Sequence, residues 1–339
     1  MAPNANAVSL SRTESFESVC REIHDSLGEE KRLVQVLVGL SQAECRKVRE
    51  TYMELYGEDL VQKFDPGLQF LLCLMLDPFE RDAVFARESL HGNNSVNYKA
   101  LVEIFTCRKS SHVLLILQAY HAKYRSQLDL DIASIEPPHP YQKMLMALSA
   151  SHKAHHADVS QHIAKCDARR LFQTGEGRPG AIDEAVVLEI FSKRSIGQLK
   201  LTFFSYKHIY GHSYTSFLKN EDSGEFEDAV RVVVKCICSP PRYYAEALYG
   251  CLKGTTNDKA ALVRVMVSRT EVDMDEIRCN FKKKYGVELK NVICETTPEG
   301  NHRDFLISGL QMYSAEEETM RSCRRLGAED LFLALVVYS

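Results

Sequence analysis

The nine residues FKKKYGVEL, 281–289, decide how this chain is read, because the segment is not unique. Three counterparts precede it: YMELYGEDL (52–60), YHAKYRSQL (120–128) and YKHIYGHSY (206–214). Their second aromatic residues, Tyr56, Tyr124, Tyr210 and Tyr285, lie 68, 86 and 75 residues apart in turn. Sixteen residues before each stands Leu40, Arg108, Arg194 or Arg269. The three arginines each close an apolar run: LVEIFTCR, VVLEIFSKR and LVRVMVSR. Recurrence of the same pair at the same offset marks an internal repeat rather than a coincidence.

Working outward, each unit of about 70 residues reads as several helices. Leu262, Val265, Met266 and Arg269 follow i, i+3, i+4, i+7 spacing, and VDMDEIRCNFKKKY continues the helical period. Alternating stretches and Asn-Gly hairpin turns are lacking, so strands are not expected. The spacing predicts repeats at residues 14–85, 86–157, 169–243 and 244–312, with a polar, His-rich connector at 158–168 and a tail at 313–339. Units that bury one face against their neighbours should pack as one body.

Composition narrows the class. A chain of 339 residues with 45% hydrophobic content can bury a sizeable core. No stretch approaches the roughly 18 apolar residues of a membrane span, and the N-terminus lacks the basic start and apolar run of a secretory signal. Eleven cysteines without framework spacing fit reduced thiols in a cytoplasmic protein. The net charge of −4 offers no general attraction to nucleic acid or anionic lipid. Binding to a phosphate-rich surface therefore needs a local basic patch or a bridging cation.

Four such units, with YGEDL, LDPFERDA (76–83), FTCRKSS, YYAEALYGCLKG and VSRTEVDMDEI in this order, resemble the annexin family, and its plant members in particular. The resemblance spans roughly residues 14–312. It implies an all-α fold of four five-helix repeats packed as one curved disc, with calcium and lipid held on the convex face. It further implies Ca2+ as the cofactor and peripheral attachment to anionic phospholipid membranes, without an enzymatic activity. Other proteins, such as those of the cytoskeleton, form a further class of partner, and nucleic acid is not among them. The alternative is an annexin-like scaffold acting by protein contacts or by calcium-independent lipid binding.

The family site is chemically legible. Calcium takes about six to eight oxygens, carboxylate and backbone carbonyl among them. The family loop Lys-Gly-x-Gly-Thr turns carbonyls inward, and its glycines permit the required dihedrals; a later acidic side chain closes the site. In the first repeat the loop aligns with His24, Asp25, Ser26, Leu27 and Gly28, and Pro66 stands at the acid position, so this site is expected to be lost. The second repeat, HGNNSVNY (91–98), has no acid and is expected to be lost as well. In the third, GEGRPGAIDE gives carbonyls of Glu176, Arg178 and Gly180, with Glu225 as the acid 45 residues after Gly180. The bland alternative is a Pro-Gly turn beside a surface glutamate. In the fourth, Leu252, Gly254 and Thr256 supply the loop positions and Asn301 replaces the acid, with Glu299 or Glu295 as substitutes. Lys253 and Arg178 are the candidate lipid contacts. Calcium affinity is expected to be weaker than with four full loops.

Other chemistry is sparse. Plant members carry cysteines matching Cys107 and Cys236, linked with redox behaviour; inert packing is the alternative, since free cysteine is commonly buried. A first-repeat histidine tied to peroxidase-like activity in some members aligns here with Gly39. His152, His155, His156, His162 and Cys166 form the densest ligand-type cluster, but their spacing matches no familiar zinc pattern.

Overall fold

The protein is described by a computed structural model covering residues 15–64, 69–92, 95–106, 108–150, 159–177, 181–219, 224–254 and 259–311. Among these residues all regular structure is helical: nineteen α-helices and one 3-10 turn, with no strand. The elements follow one another in four sets of five. The first set is α1 (Phe16–Asp25), α2 (Glu30–Val38), α3 (Gln42–Tyr56), the 3-10 turn Leu60–Lys63 and α4 (Gln69–Met75). The second is α5 (Pro78–His91), α6 (Tyr98–Thr106), α7 (Ser110–Tyr124), α8 (Leu128–Ala133) and α9 (Pro140–Ser149). The third is α10 (Gln161–Gln173), α11 (Glu184–Lys193), α12 (Ile196–Tyr210), α13 (Tyr214–Phe217) and α14 (Glu225–Cys238). The fourth is α15 (Pro240–Lys253), α16 (Lys259–Arg269), α17 (Met274–Tyr285), α18 (Leu289–Thr296) and α19 (Asn301–Gln311). Three elements cross the boundaries expected from sequence. Helix α5 starts inside 14–85, α10 starts inside the stretch read as a connector, and α15 starts inside 169–243 and runs into the fourth repeat.

The recurring motif is the third helix of each set. The first aromatic of each pair, Tyr52, Tyr120, Tyr206 or Phe281, is fully buried. A buried phenol needs a partner, and each hydroxyl has one. His24 Nδ1 lies 2.8 Å from Tyr52 Oη, and Tyr120 and Tyr206 each donate at 2.6 Å to Asp131 and Glu176. The second aromatic packs against the first helix of its own set. Tyr56 stacks on His24 at 4.1 Å, Tyr210 on Phe172 at 4.0 Å, and Tyr285 on Tyr249 at 3.7 Å. In the second set the Arg87 guanidinium covers Tyr124 instead.

The residue after each pair ends its helix in the left-handed region: Gly57 (φ 70°), Gly211 (φ 82°), Gly286 (φ 74°) and, in the second set, Arg125 (φ 55°). A side chain there costs about 1–2 kcal/mol. Arg125→Gly is therefore expected to stabilise the protein by about 1 kcal/mol, read as a higher denaturant midpoint with an unchanged slope.

The offset arginines sit where the second helix hands over to the third. Arg108 grips Asp82 with two bonds of 2.6 and 3.1 Å, and Arg194 grips Asp167 with two of 2.7 and 3.1 Å. Arg269 holds Asp273 of its own repeat at 2.8 and 2.5 Å. Leu40, the exception in the motif, is buried in the first set without an ion pair. In the first three sets the next residue, Ser41, Lys109 or Ser195, caps the third helix, and Ser41 does so with a capping box closed by Glu44; in the fourth the cap is Asp273.

The chain divides into two compact units, residues 1–77 with 245–339, and residues 78–244. In the first, repeats one and four share a core although they lie at opposite ends of the sequence. Helix α2 packs on α19 and α4 on α16, Phe70 meets Phe305 at 4.8 Å, and Gln42 N donates to Glu271 Oε1 at 2.7 Å. In the second, α9 packs against α6, α11 and α14, and Lys143 pairs with Glu184 at 2.7 Å.

Candidate functional site

The third repeat places its candidate loop between α10 and α11, described as far as Gly177 and again from Ala181. Gly175 N and Gly177 N both donate to Phe172 O, at 3.2 and 2.7 Å, and Asp183 N closes the mouth on Thr174 O at 2.9 Å. The glycines are required by close approach. A Cβ on Gly175 would lie 3.0 Å from Leu171 O, and one on Gly177 would lie 2.9 Å from the Phe172 ring. Glu176 turns its side chain inward, where Oε2 accepts from Tyr206 Oη at 2.6 Å and meets His212 Nε2 at 2.9 Å. The carboxylate thus anchors the loop, and what Glu176 can offer a cation is its backbone carbonyl.

The anchor is ionic as well as directional. The hydrogen bond to Glu176 holds the His212 pKa above its ordinary 6.5. Because the folded value is raised, the added stability is fully present below 6.5 and fades as pH rises through the folded value. In a proton NMR titration, Glu176→Gln is expected to move the His212 midpoint back toward 6.5.

Three carboxylates stand in the first turn of α14, Glu225, Glu227 and Asp228, and the structure separates them: Asp228 pairs with Arg231 at 2.5 Å. Glu225 is the first residue of the helix and is exposed. Glu227, one of its next residues, swings back: Ile182 N in the α10–α11 loop donates to its Oε1 at 3.4 Å. A Cβ on Gly224 would stand 2.8 Å from Glu227 Oε2, so the glycine leaves room for that reach. Sequence spacing had pointed to Glu225. The signal for Glu227 is its place at the third helical position, from which a glutamate side chain folds back over the helix start. Arg178 and Gly180 lie outside the described residues.

Among the described residues no three His, Cys, Asp or Glu side chains converge as a metal cage. A cation held here takes backbone oxygen as well as carboxylate, which is the donor chemistry calcium prefers. A glycine-tight loop, an anchored Glu176 and the Glu227 carboxylate at the loop amide fit that ion.

The annexin family model matches residues 166–233 and 243–308. Human annexin A3 is 35% identical over 286 residues, covering 83% of this chain and 88% of that protein. The chain belongs to the annexin family. A solved structure of annexin III has a TM-score of 0.78 at 33% identity, covering 88% of this chain and 95% of the other. Calcium-bound annexin (Sm)1, at 20% identity and a TM-score of 0.73, covers 87% of this chain and 90% of its own, and it shares the fold. Membership carries the general annexin activity, calcium-dependent binding to phospholipid.

The other annexin loops are further from a cation site. In the fourth repeat Leu252 is buried and Gly254 is obligatory, since a Cβ would lie 2.3 Å from Gly250 O. Lys253 Nζ reaches Glu295 at 3.1 Å, so Glu295 is tied to the loop start, while Glu299 is 87% exposed and pairs with Arg303 at 2.9 Å. Thr256 lies outside the described residues. In the second repeat Gln142 donates to Ile132 O and Ala133 O at 2.9 and 2.7 Å, spending its amide on its own loop. In the first repeat Ser26 is fully buried and bonded to Glu22 O.

Cys236 is fully buried and accepts the Thr106 hydroxyl at 2.9 Å, a core position; Cys107 lies outside the described residues. His162 Nε2 and Cys166 Sγ approach to 3.7 Å on α10, whereas His152, His155 and His156 fall outside the described residues, as does the 313–339 tail. Among the described residues no helix is long and apolar enough to cross a membrane.

Proposed function

We propose that this annexin attaches peripherally to anionic phospholipid membranes in the cytoplasm through calcium held in its third repeat. The observation that carries this reading is the Glu227 carboxylate at the Ile182 amide, in a loop where a Cβ on Gly175 or Gly177 would crowd Leu171 O and the Phe172 ring. When bound, the ion supplies positive charge that a protein of net charge −4 lacks. Glu227 supplies the carboxylate, with carbonyls of Glu176, Arg178 and Gly180 completing the protein's share; Glu225 stands at the rim of the site. Lipid phosphate or water takes the remaining positions, and Arg178 and Lys253 are the candidate contacts to head groups.

The fourth loop is a weaker second seat, formed by Leu252, Gly254, Thr256 and a nearby carboxylate. Lys253 already engages Glu295 at 3.1 Å, and that pairing competes with a cation for the same carboxylate. With one strong and one weakened loop, the calcium requirement exceeds that of a four-loop annexin. The motifs YYAEALYGCLKG and VSRTEVDMDEI support placement among the plant members. The function is attachment rather than catalysis.

Calorimetric titration of calcium, with and without phosphatidylserine vesicles, tests the reading. Coupling between two ligands is reciprocal, so calcium affinity is expected to rise when vesicles are present. Equal affinity in the two titrations overturns it.

A further inference from the structure

Tyr214 opens α13 and is 1% exposed, yet its hydroxyl has no hydrogen-bond partner. A buried hydroxyl left unpaired destabilises a fold, and such a group asks for an explanation in a ligand or ion. Packing does not supply one. Four residues after the second aromatic, the other repeats bury leucine: Leu60, Leu128 and Leu289, none more than 1% exposed. The hydroxyl is therefore an addition made in one repeat to a position that is otherwise apolar.

That repeat differs from the others in a second way. At the third residue of the last helix the four sets carry Leu71, Gln142, Glu227 and Arg303. The carboxylate and the orphan hydroxyl occur together.

Geometry brings them to one place. The Tyr214 ring packs on Phe203 at 5.8 Å and edge-on to Tyr206 at 5.1 Å. Phe217, in the same short helix, lies against the loop, where a Cβ on Gly175 would meet both it and Ile182 at 3.3 Å. Burial and the negative charge of Glu227 both push the Tyr214 phenol upward, so it keeps its proton and remains a donor at neutral pH. The present bond of Glu227, 3.4 Å from Ile182 N, is long and readily exchanged.

We propose that Tyr214 is a positioning residue for Glu227, its hydroxyl donating to the carboxylate when that carboxylate leaves the Ile182 amide to hold a cation. A carboxylate that ligates a metal is held in orientation by a donor on its other oxygen. The unpaired hydroxyl is thus a partner held in reserve. This rests on the calcium reading above and adds a residue to it.

The test is Tyr214→Phe, which removes a single oxygen, and Tyr214→Leu, which copies the other repeats. Both are made in the full chain. Two quantities are read: the melting temperature in chelator, and the calcium concentration giving half-maximal binding to phosphatidylserine vesicles. Tyr214→Phe is expected to melt at or above the parent protein in chelator, while its calcium requirement rises roughly tenfold, as for loss of a hydrogen bond to a charged acceptor. An unchanged calcium requirement overturns the proposal, and so does a parallel fall in chelator stability, which would make the role structural. Glu227→Gln separates the two readings. If it removes calcium dependence and Tyr214→Phe does not alter it, the assignment of Tyr214 alone fails. If Glu227→Gln is itself without effect, both fail.

Discussion

Replacing Glu227 by Gln is expected to raise the calcium needed for half-maximal vesicle binding about a hundredfold, a loss of ~2–3 kcal/mol in line with removing a charged partner from a polar contact. The substitution keeps the shape of the side chain and an oxygen able to accept from Ile182 N, now 3.4 Å away. What it removes is the negative charge, on which a hard cation depends. The fold should survive, with a melting temperature in chelator close to that of the parent protein. Glu225→Gln is the matched control. Glu225 is exposed at the first position of α14, and its substitution should shift the calcium requirement by less than about threefold, as a partly screened neighbouring charge would. A larger effect at Glu225 than at Glu227 would return the acid role to the residue that sequence spacing had indicated.

Arg108→Ala is expected to cost roughly 3–5 kcal/mol of stability, the range for removing one member of a buried ion pair. Its partner Asp82 has a side chain only 3% exposed and is held by two bonds of 2.6 and 3.1 Å. Loss of the guanidinium leaves that carboxylate buried without its main counter-charge. Denaturant unfolding followed by circular dichroism measures the difference. The first repeat shows that the position tolerates an apolar residue, since Leu40 is buried there with no ion pair. Arg108→Leu combined with Asp82→Leu should accordingly recover most of the loss, because an apolar pair of similar volume avoids the desolvation cost. A double variant as unstable as Arg108→Ala would mean that the pair contributes through packing of the arginine stem.

The fold was legible because its repeat writes itself at both ends of one helix. The offset arginine marks the approach to the third helix, and the aromatic pair, followed by Gly57, Gly211 or Gly286 in three of the sets, marks its end. These are local features that survive when loops diverge. The start of α10 was not legible. Its buried face is Ala164, Asp167, Ala168 and Leu171, small residues and an aspartate that becomes internal only by pairing with Arg194. A hydrophobicity pattern reads such a face as polar, so a stretch of helix passed for connector.

For the candidate site, the residue pattern singles out a repeat, and the structure adds where the side chains at the start of α14 point. The loop glycines and the acidic start of α14 pointed to the third repeat. Which of two nearby carboxylates faces the loop depends on how a glutamate leaves a helix terminus, and counting residues does not reveal that. Tyr214 left a trace in the aligned segments, as the one departure from leucine in the final column. Its meaning required knowing that the hydroxyl is buried and unpaired.

On this reading calcium joins the chain to an anionic bilayer. Co-sedimentation of the intact chain with phosphatidylserine vesicles, in calcium and in chelator, measures it most directly. Protein is expected in the vesicle pellet with calcium and in the supernatant with chelator. Equal amounts in the pellet under both conditions would contradict the reading.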